Sequence, residues 1–106
     1  MNMTSTGGAN AMSECLRKLR KLDLNRLMVF VAIYECQSVS GAAAALGMTQ
    51  PAVSMALRSL RRDFQEELFF RSGCGVCATH LATKLAQRII PAVTQLNLLT
   101  HLTGSE

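Results

Sequence analysis

Tryptophan is absent from this chain and tyrosine occurs once, as Tyr34. A sequence so poor in stacking rings offers no aromatic platform of the kind that reads single-stranded RNA bases. Histidine occurs twice and acidic residues seven times in 106. Scattered along the chain, they compose no nucleophile–base pair and no metal constellation, and no glycine loop is shaped to cradle phosphates. An enzyme is therefore the weakest reading, and neither catalytic residues nor a cofactor are expected. Unbroken apolar runs are missing too. The charge-free stretch Gln37–Leu57 is interrupted by Gly41, Gly47 and Pro51, and Ile89–Ser105 carries Pro91, Gln95, Asn97 and His101. Neither spans a bilayer, so no membrane partner is expected. The N-terminal MNMTSTGGANAMS has no apolar segment of a secretory leader, which points to the cytoplasm.

Cysteine is present four times, at 15, 36, 74 and 77, without the density of a disulfide framework. Cys74-Gly-Val-Cys77, followed by His80, has the look of half a metal or redox site. Zinc asks for four ligands, however, and Cys15 and Cys36 lack a matching spacing. A redox CxxC opens a helix, whereas this one falls on an expected hairpin. The expectation is ordinary cysteines and no metal.

The shortage of acid leaves a net charge of +4. Eight of the eleven basic residues lie within residues 17–62. Such an excess favours an anionic partner. The length suits one domain. At its start, residues 1–13 read as disordered, and Glu14–Leu22 (ECLRKLRKL) as a basic, helical segment with the option of extra phosphate contacts.

The informative stretch is SVSGAAAALGMTQPAVSMALRSLRR, residues 38–62. Ser40 is the expected N-cap of a short helix. Ala42 to Ala45 favour helix and let a neighbour approach closely. Gly47 suits the left-handed residue that ends it. Thr49 then caps a second helix with Pro51 in its first turn, where a missing N–H costs little. On that helix Val53, Leu57, Leu60 and Phe64 form an apolar stripe at helical period, while Gln50, Ser54, Arg58 and Arg61 form a polar one. Two helices about a glycine turn, the second bearing arginines, are the parts that enter a DNA major groove.

The flanking segments support this. Asp23 is the expected cap of a preceding helix whose Leu27, Phe30, Val31 and Tyr34 should face the motif. Leu68–Arg71 and Val76–Thr79 flank Ser-Gly-Cys-Gly as a short hairpin. Beyond it, with Thr79 as cap, a long helix runs from about His80 to Leu102. In it Ala82, Leu85, Ile89, Ala92, Leu96 and Leu99 recur at 3, 4, 3, 4, 3, with Val93 adding apolar surface, the rhythm of a helix-pairing seam. Pro91 should bend or loosen that helix.

In order, LNRLMVFVAIYECQSVS (24–40), AAAALGMTQPAVSMALRSL (42–60) and ELFFRSGCGVCAT (67–79) resemble the first helix, helix-turn-helix and wing of LysR-type transcriptional regulators. The resemblance extends through the linker helix, from Leu22 to Leu102. It implies a mainly α-helical winged helix-turn-helix, three helices and a β-hairpin wing, followed by a long C-terminal dimerisation helix. The expected divisions are an N-terminal extension (1–21), the DNA-binding domain (22–79, motif about 39–58), the linker helix (80–102) and a tail (103–106). The chain departs from the family at Met55 and Ala56, where a basic or polar pair is frequent, and at Arg61, Gln65, Cys74 and Ala82. With Met55 in place, contact with a thymine methyl is the available chemistry.

The resemblance implies a bacterial transcription regulator acting on the nucleoid, its usual C-terminal effector domain and small-molecule site not among these residues. Gln50, Pro51, Ser54 and Met55 are then expected at base edges, and Ser38, Ser40, Thr49, Arg58 and Arg61 at phosphates, with Arg71 holding the wing side. The seam residues should join two copies, which places half-sites of an interrupted inverted repeat about one or two helical turns apart. The competing expectation is an interaction protein that pairs with a full-length regulator through its linker helix and binds DNA only weakly or without specificity.

Overall fold

The computed structural model describes residues 8–103. Six helices and one hairpin follow in the order α1 (Gly8–Leu19), α2 (Leu24–Cys36), α3 (Val39–Leu46), α4 (Gln50–Phe64), β1 (Phe69–Ser72), β2 (Gly75–Ala78), α5 (His80–Asn97) and α6 (Leu99–Leu102). The winged helix-turn-helix expected from the sequence is present.

Local chemistry sets most boundaries. The Asp23 carboxylate accepts the Asn25 N–H at 3.0 Å, Thr49 Oγ1 accepts from Ala52 at 3.2 Å, and Thr79 Oγ1 accepts from Ala82 at 3.2 Å. Each satisfies a donor that the first helical turn leaves open. Gly47, at φ 68°, ends α3. The N–H groups of Gly47 and Met48 reach back to Ala44 and Ala43, the paired bonds of a Schellman stop.

Three local expectations are corrected. The cap of α3 is Ser38, whose Oγ accepts the Gly41 N–H at 2.9 Å; Ser40 lies inside the helix. The shift follows from Gln37, which takes the left-handed conformation at the end of α2 (φ 55°) and leaves Ser38 extended, ready to start the next helix. At the other end, residues 8–13 are helical, not disordered; residues 1–7 of the expected extension and 104–106 of the expected tail lie outside the described residues. The linker is interrupted at Leu98, so that Leu99 belongs to the short α6.

The core gathers on α2. Val29, Phe30 and Ile33 are buried against Ala42 and Ala43 of α3, Val53 and Leu60 of α4, Leu68 just before the wing and Phe69 of β1, and Ala82 and Ala86 of α5. The expected stripe on α2 is corrected accordingly: Leu27, Val31 and Tyr34 are only partly buried, whereas Val29 and Ile33 are interior. Helix α2 packs on α3, α4 and α5, and a helix enclosed on several sides buries more than one stripe. Alanines at 42 and 43 allow α3 to lie close. Each large side chain removed from water here contributes about 1.5–3 kcal/mol.

Candidate nucleic-acid interface

Helix α4 carries the site. Val53 and Leu60 are buried beneath it, Leu57 is half-buried, and Gln50, Pro51, Met55, Arg58 and Arg61 are exposed on its outer side with Ser54 half-buried among them. Met55 is 61% exposed, so its thioether side chain stands in solvent rather than in the core. Thr49 and Ser38 are exposed or half-exposed at the starts of α4 and α3, their oxygens engaged as caps. Ser38 and Ser40 also share a hydroxyl–hydroxyl bond of 3.1 Å.

The wing closes this surface. Residues Phe69, Phe70, Arg71 and Ser72 pair with Ala78, Cys77, Val76 and Gly75. Gly73 turns the chain at φ 60° while Cys74 keeps a negative φ, which is the II′ pattern suited to the twist of a hairpin. A cleft of about 300 Å³ between α4 and the wing is lined by Ser54, Arg58, Arg61, Phe70 and Arg71 among others. A second, of about 210 Å³, is lined by Ser38, Ser40, Gln50, Arg71 and Cys74. Arg71 borders both. The structure thus brings together seven of the ten expected contact residues around two adjoining clefts.

 The seven that line a cleft are Ser38, Ser40, Gln50, Ser54, Arg58, Arg61 and Arg71, while Thr49, Pro51 and Met55 are exposed on α4 or at its start without lining either.

The charges are unequal in freedom. Arg61 donates to Glu67 at 3.4 Å in an exposed pair. Arg58 and Arg71 have no acidic partner among the described residues. Asp63, the acid that follows on α4, is held by Arg26 at 3.1 Å. The cleft is therefore left with two uncommitted cations and a third that an incoming anion can draw from a weak exposed pair.

Sequence reasoning missed what seats the wing. The Val76 N–H donates to the Gln37 carbonyl at 3.0 Å, across from β2 to the α2–α3 joint. A Cβ on Gly75 would meet that same oxygen at 2.4 Å. Gly75 is thus required for close approach of two backbones. Phe70, 53% exposed beside Arg71, was also not foreseen. No local signal marks either, because both depend on what the wing lies against.

The expected pairing seam divides in two. Ala82 is wholly buried in the core of its own chain, which removes it from the interface; Leu85 and Ile89 are partly buried against that core. Val93 is half-exposed, and Ala92, Leu96 and Leu99 are exposed. The heptad rhythm registers apolar spacing, but the first turns of α5 are used by the winged domain. Among the described residues, no three His, Cys, Asp or Glu side chains converge as metal ligands, and no helix is long and apolar enough to cross a membrane.

Comparison with known proteins places this geometry in context. Residues 24–83 match the sequence profile of bacterial regulatory helix-turn-helix proteins of the lysR family. The HTH-type transcriptional activator NahR of Pseudomonas putida is 45% identical over 85 residues, covering 79% of this chain and 28% of that protein. The chain spans about a quarter of the length of the curated relatives it matches. Among solved structures, the probable transcriptional regulator PA0477 from Pseudomonas aeruginosa superposes with a TM-score of 0.74 at 39% identity, over 77% of this chain and 28% of that one. The BenM DNA-binding domain in complex with benA site 1 DNA gives 0.69 at 26% identity, over 78% of this chain and 96% of that one.

Proposed function

The chain belongs to the LysR family of bacterial regulatory helix-turn-helix proteins, and from that premise we propose that it binds a specific double-stranded DNA sequence as a two-fold homodimer in the cytoplasm. The observation that carries this reading is the line of Gln50, Ser54 and Arg58 along α4, with Arg71 of the wing bordering both adjoining clefts. Helix α4 enters the major groove by its N-terminal half. The Gln50 amide reads a base edge, Ser54 allows close approach, Pro51 lies along the groove wall, and Met55 meets a thymine methyl. Arg58, Arg61 and Arg71 take phosphates, as do the hydroxyls of Ser38, Ser40 and Thr49, fixing register rather than sequence. The outer half of the linker, Ala92, Val93, Leu96 and Leu99, joins the two copies, and the operator is an interrupted inverted repeat.

Binding measured on an operator selected from a random DNA pool, and on scrambled DNA, separates these roles. Gln50→Ala should lose about 1–3 kcal/mol of discrimination between the two while leaving scrambled binding nearly unchanged. Arg58→Ala should weaken both alike. It should also reduce the slope of log affinity against log salt by about 0.9 for each phosphate contact removed, twice over in a dimer. Equal losses on both DNAs for Gln50→Ala contradict its assignment to a base.

A further inference from the structure

Helix α1 precedes the segment that matches the family profile, which begins at residue 24. Every side chain described between Asn10 and Leu22 is exposed. Met12, Leu16 and Leu19 nevertheless recur at i, i+4 and i+7, exposed by 56%, 53% and 51%, while Glu14, Arg17 and Lys18 occupy the opposite side. An amphipathic helix with its apolar stripe in water lacks its partner.

A matching apolar surface exists between α2 and α5. Leu24 and Met28 of α2 face Val93 and Leu96 of α5 across an apolar groove of about 330 Å³, completed by Asn97 and Thr100 and free of charged side chains. We propose that α1 of one copy lies in this groove of a second copy, the two arms exchanging about the two-fold axis. This rests on the dimer reading above.

Three observations select a second copy as the occupant. The outward seam of α5 and α6 is short, whereas a stable interface takes about 20–30 residues a side; α1 and the groove supply the missing contact. The groove is continuous with that seam through Val93 and Leu96. The arm does not occupy its own groove: the Lys21 and Leu22 N–H groups donate to Lys18 and Leu19, and Arg26 grips both Asp23 at 3.6 Å and Asp63 at 3.1 Å, holding an elbow that directs α1 away from the domain. An uncharged groove accepts the apolar stripe with no ion to desolvate, and the basic side of α1 stays in solvent.

Sedimentation equilibrium of the full chain tests this, with circular dichroism reporting helix content. Leu16→Glu should raise the dimer dissociation constant by about tenfold or more, the loss expected when a buried leucine is withdrawn from an interface, with helicity retained. Adding Met28→Lys, which sets a counter-charge in the groove, should recover part of that loss. In a chain whose only cysteines are Cys15 and Met28→Cys, oxidation should link two copies.

If Leu16→Glu leaves the constant within about twofold while Leu96→Glu raises it, the arm proposal fails and the dimer stands. A wild-type chain that sediments as a monomer, with or without DNA, removes both readings. A link closed within one chain assigns α1 to its own groove and overturns the exchange. Loss of DNA affinity by Leu16→Glu with the dimer constant unmoved assigns the helix to DNA, and overturns it equally.

Discussion

Replacing Phe30 with Ala should cost the fold about 3–5 kcal/mol, the range for deleting a large buried side chain that leaves a cavity. Phe30 has no exposed surface. Its ring lies 6.1 Å from that of Tyr34 and 5.6 Å from that of Phe69, so it ties α2 to the first strand of the wing. Domains of this size are stable by only about 5–15 kcal/mol, and 1 kcal/mol shifts the midpoint of a 60–100-residue domain by about 4–8 °C. Thermal unfolding should therefore drop by well over about 12 °C. Operator DNA, which binds only the folded form, should restore part of the shift. Met55→Ala supplies the contrast: with that side chain mostly in solvent, stability should stay within about 0.5 kcal/mol. A loss below about 1 kcal/mol for Phe30→Ala would mean that the ring does not hold the wing to α2.

The parts of the fold legible in the sequence are those decided within a few residues. Asp23, Thr49 and Thr79 could be read as caps because a short side chain ahead of a helical pattern has one obvious donor to satisfy. Gly47 was legible because its left-handed conformation needs no tertiary partner. The outer line of α4 was legible for the same reason, since its apolar and polar stripes differ by rotation about one axis. Ser38 and Ser40 offered two hydroxyls for one role, and the choice fell to the conformation of Gln37, which carries no local signature. The periodicity of α2 and α5 was visible, but its destination was not. On α2 three neighbours draw in Val29 and Ile33 as well as Phe30. On α5 the domain itself takes Ala82 before any second copy can. At the site, the meeting of Arg71 with Ser38, Ser40 and Gln50 depends on a hairpin folding back onto a helix joint more than thirty residues earlier, which no window of sequence contains.

That joint yields the second large effect. Gly75 is not in a left-handed conformation, so the demand for glycine there is one of space: an added Cβ would stand 2.4 Å from the Gln37 carbonyl oxygen. The obstacle is backbone at the end of α2, which no rotamer change relieves. Gly75→Val should thus lift β2 from the α2–α3 joint, break the Val76 N–H bond to Gln37 and carry Arg71, the register partner of Val76, away from the α4 clefts. Overpacking of this kind costs about 1–3 kcal/mol in stability, within what the rest of the core can absorb. The larger consequence should be on DNA. Affinity should fall by more than in Arg71→Ala, because Cys74, Phe70 and the cleft walls move with the arginine, and about 1.4 kcal/mol per tenfold sets the scale. Titration at fixed salt, paired with hydrogen exchange at Val76, reads both effects. Gly73→Asn is the control at the neighbouring turn: its φ of 60° is tolerated by Asn, and nothing lies within 4 Å of an added Cβ. If Gly75→Val frees the Val76 amide to exchange yet binds operator as the wild type does, the seated wing is not part of the DNA-binding surface, and affinity rests on α4 alone.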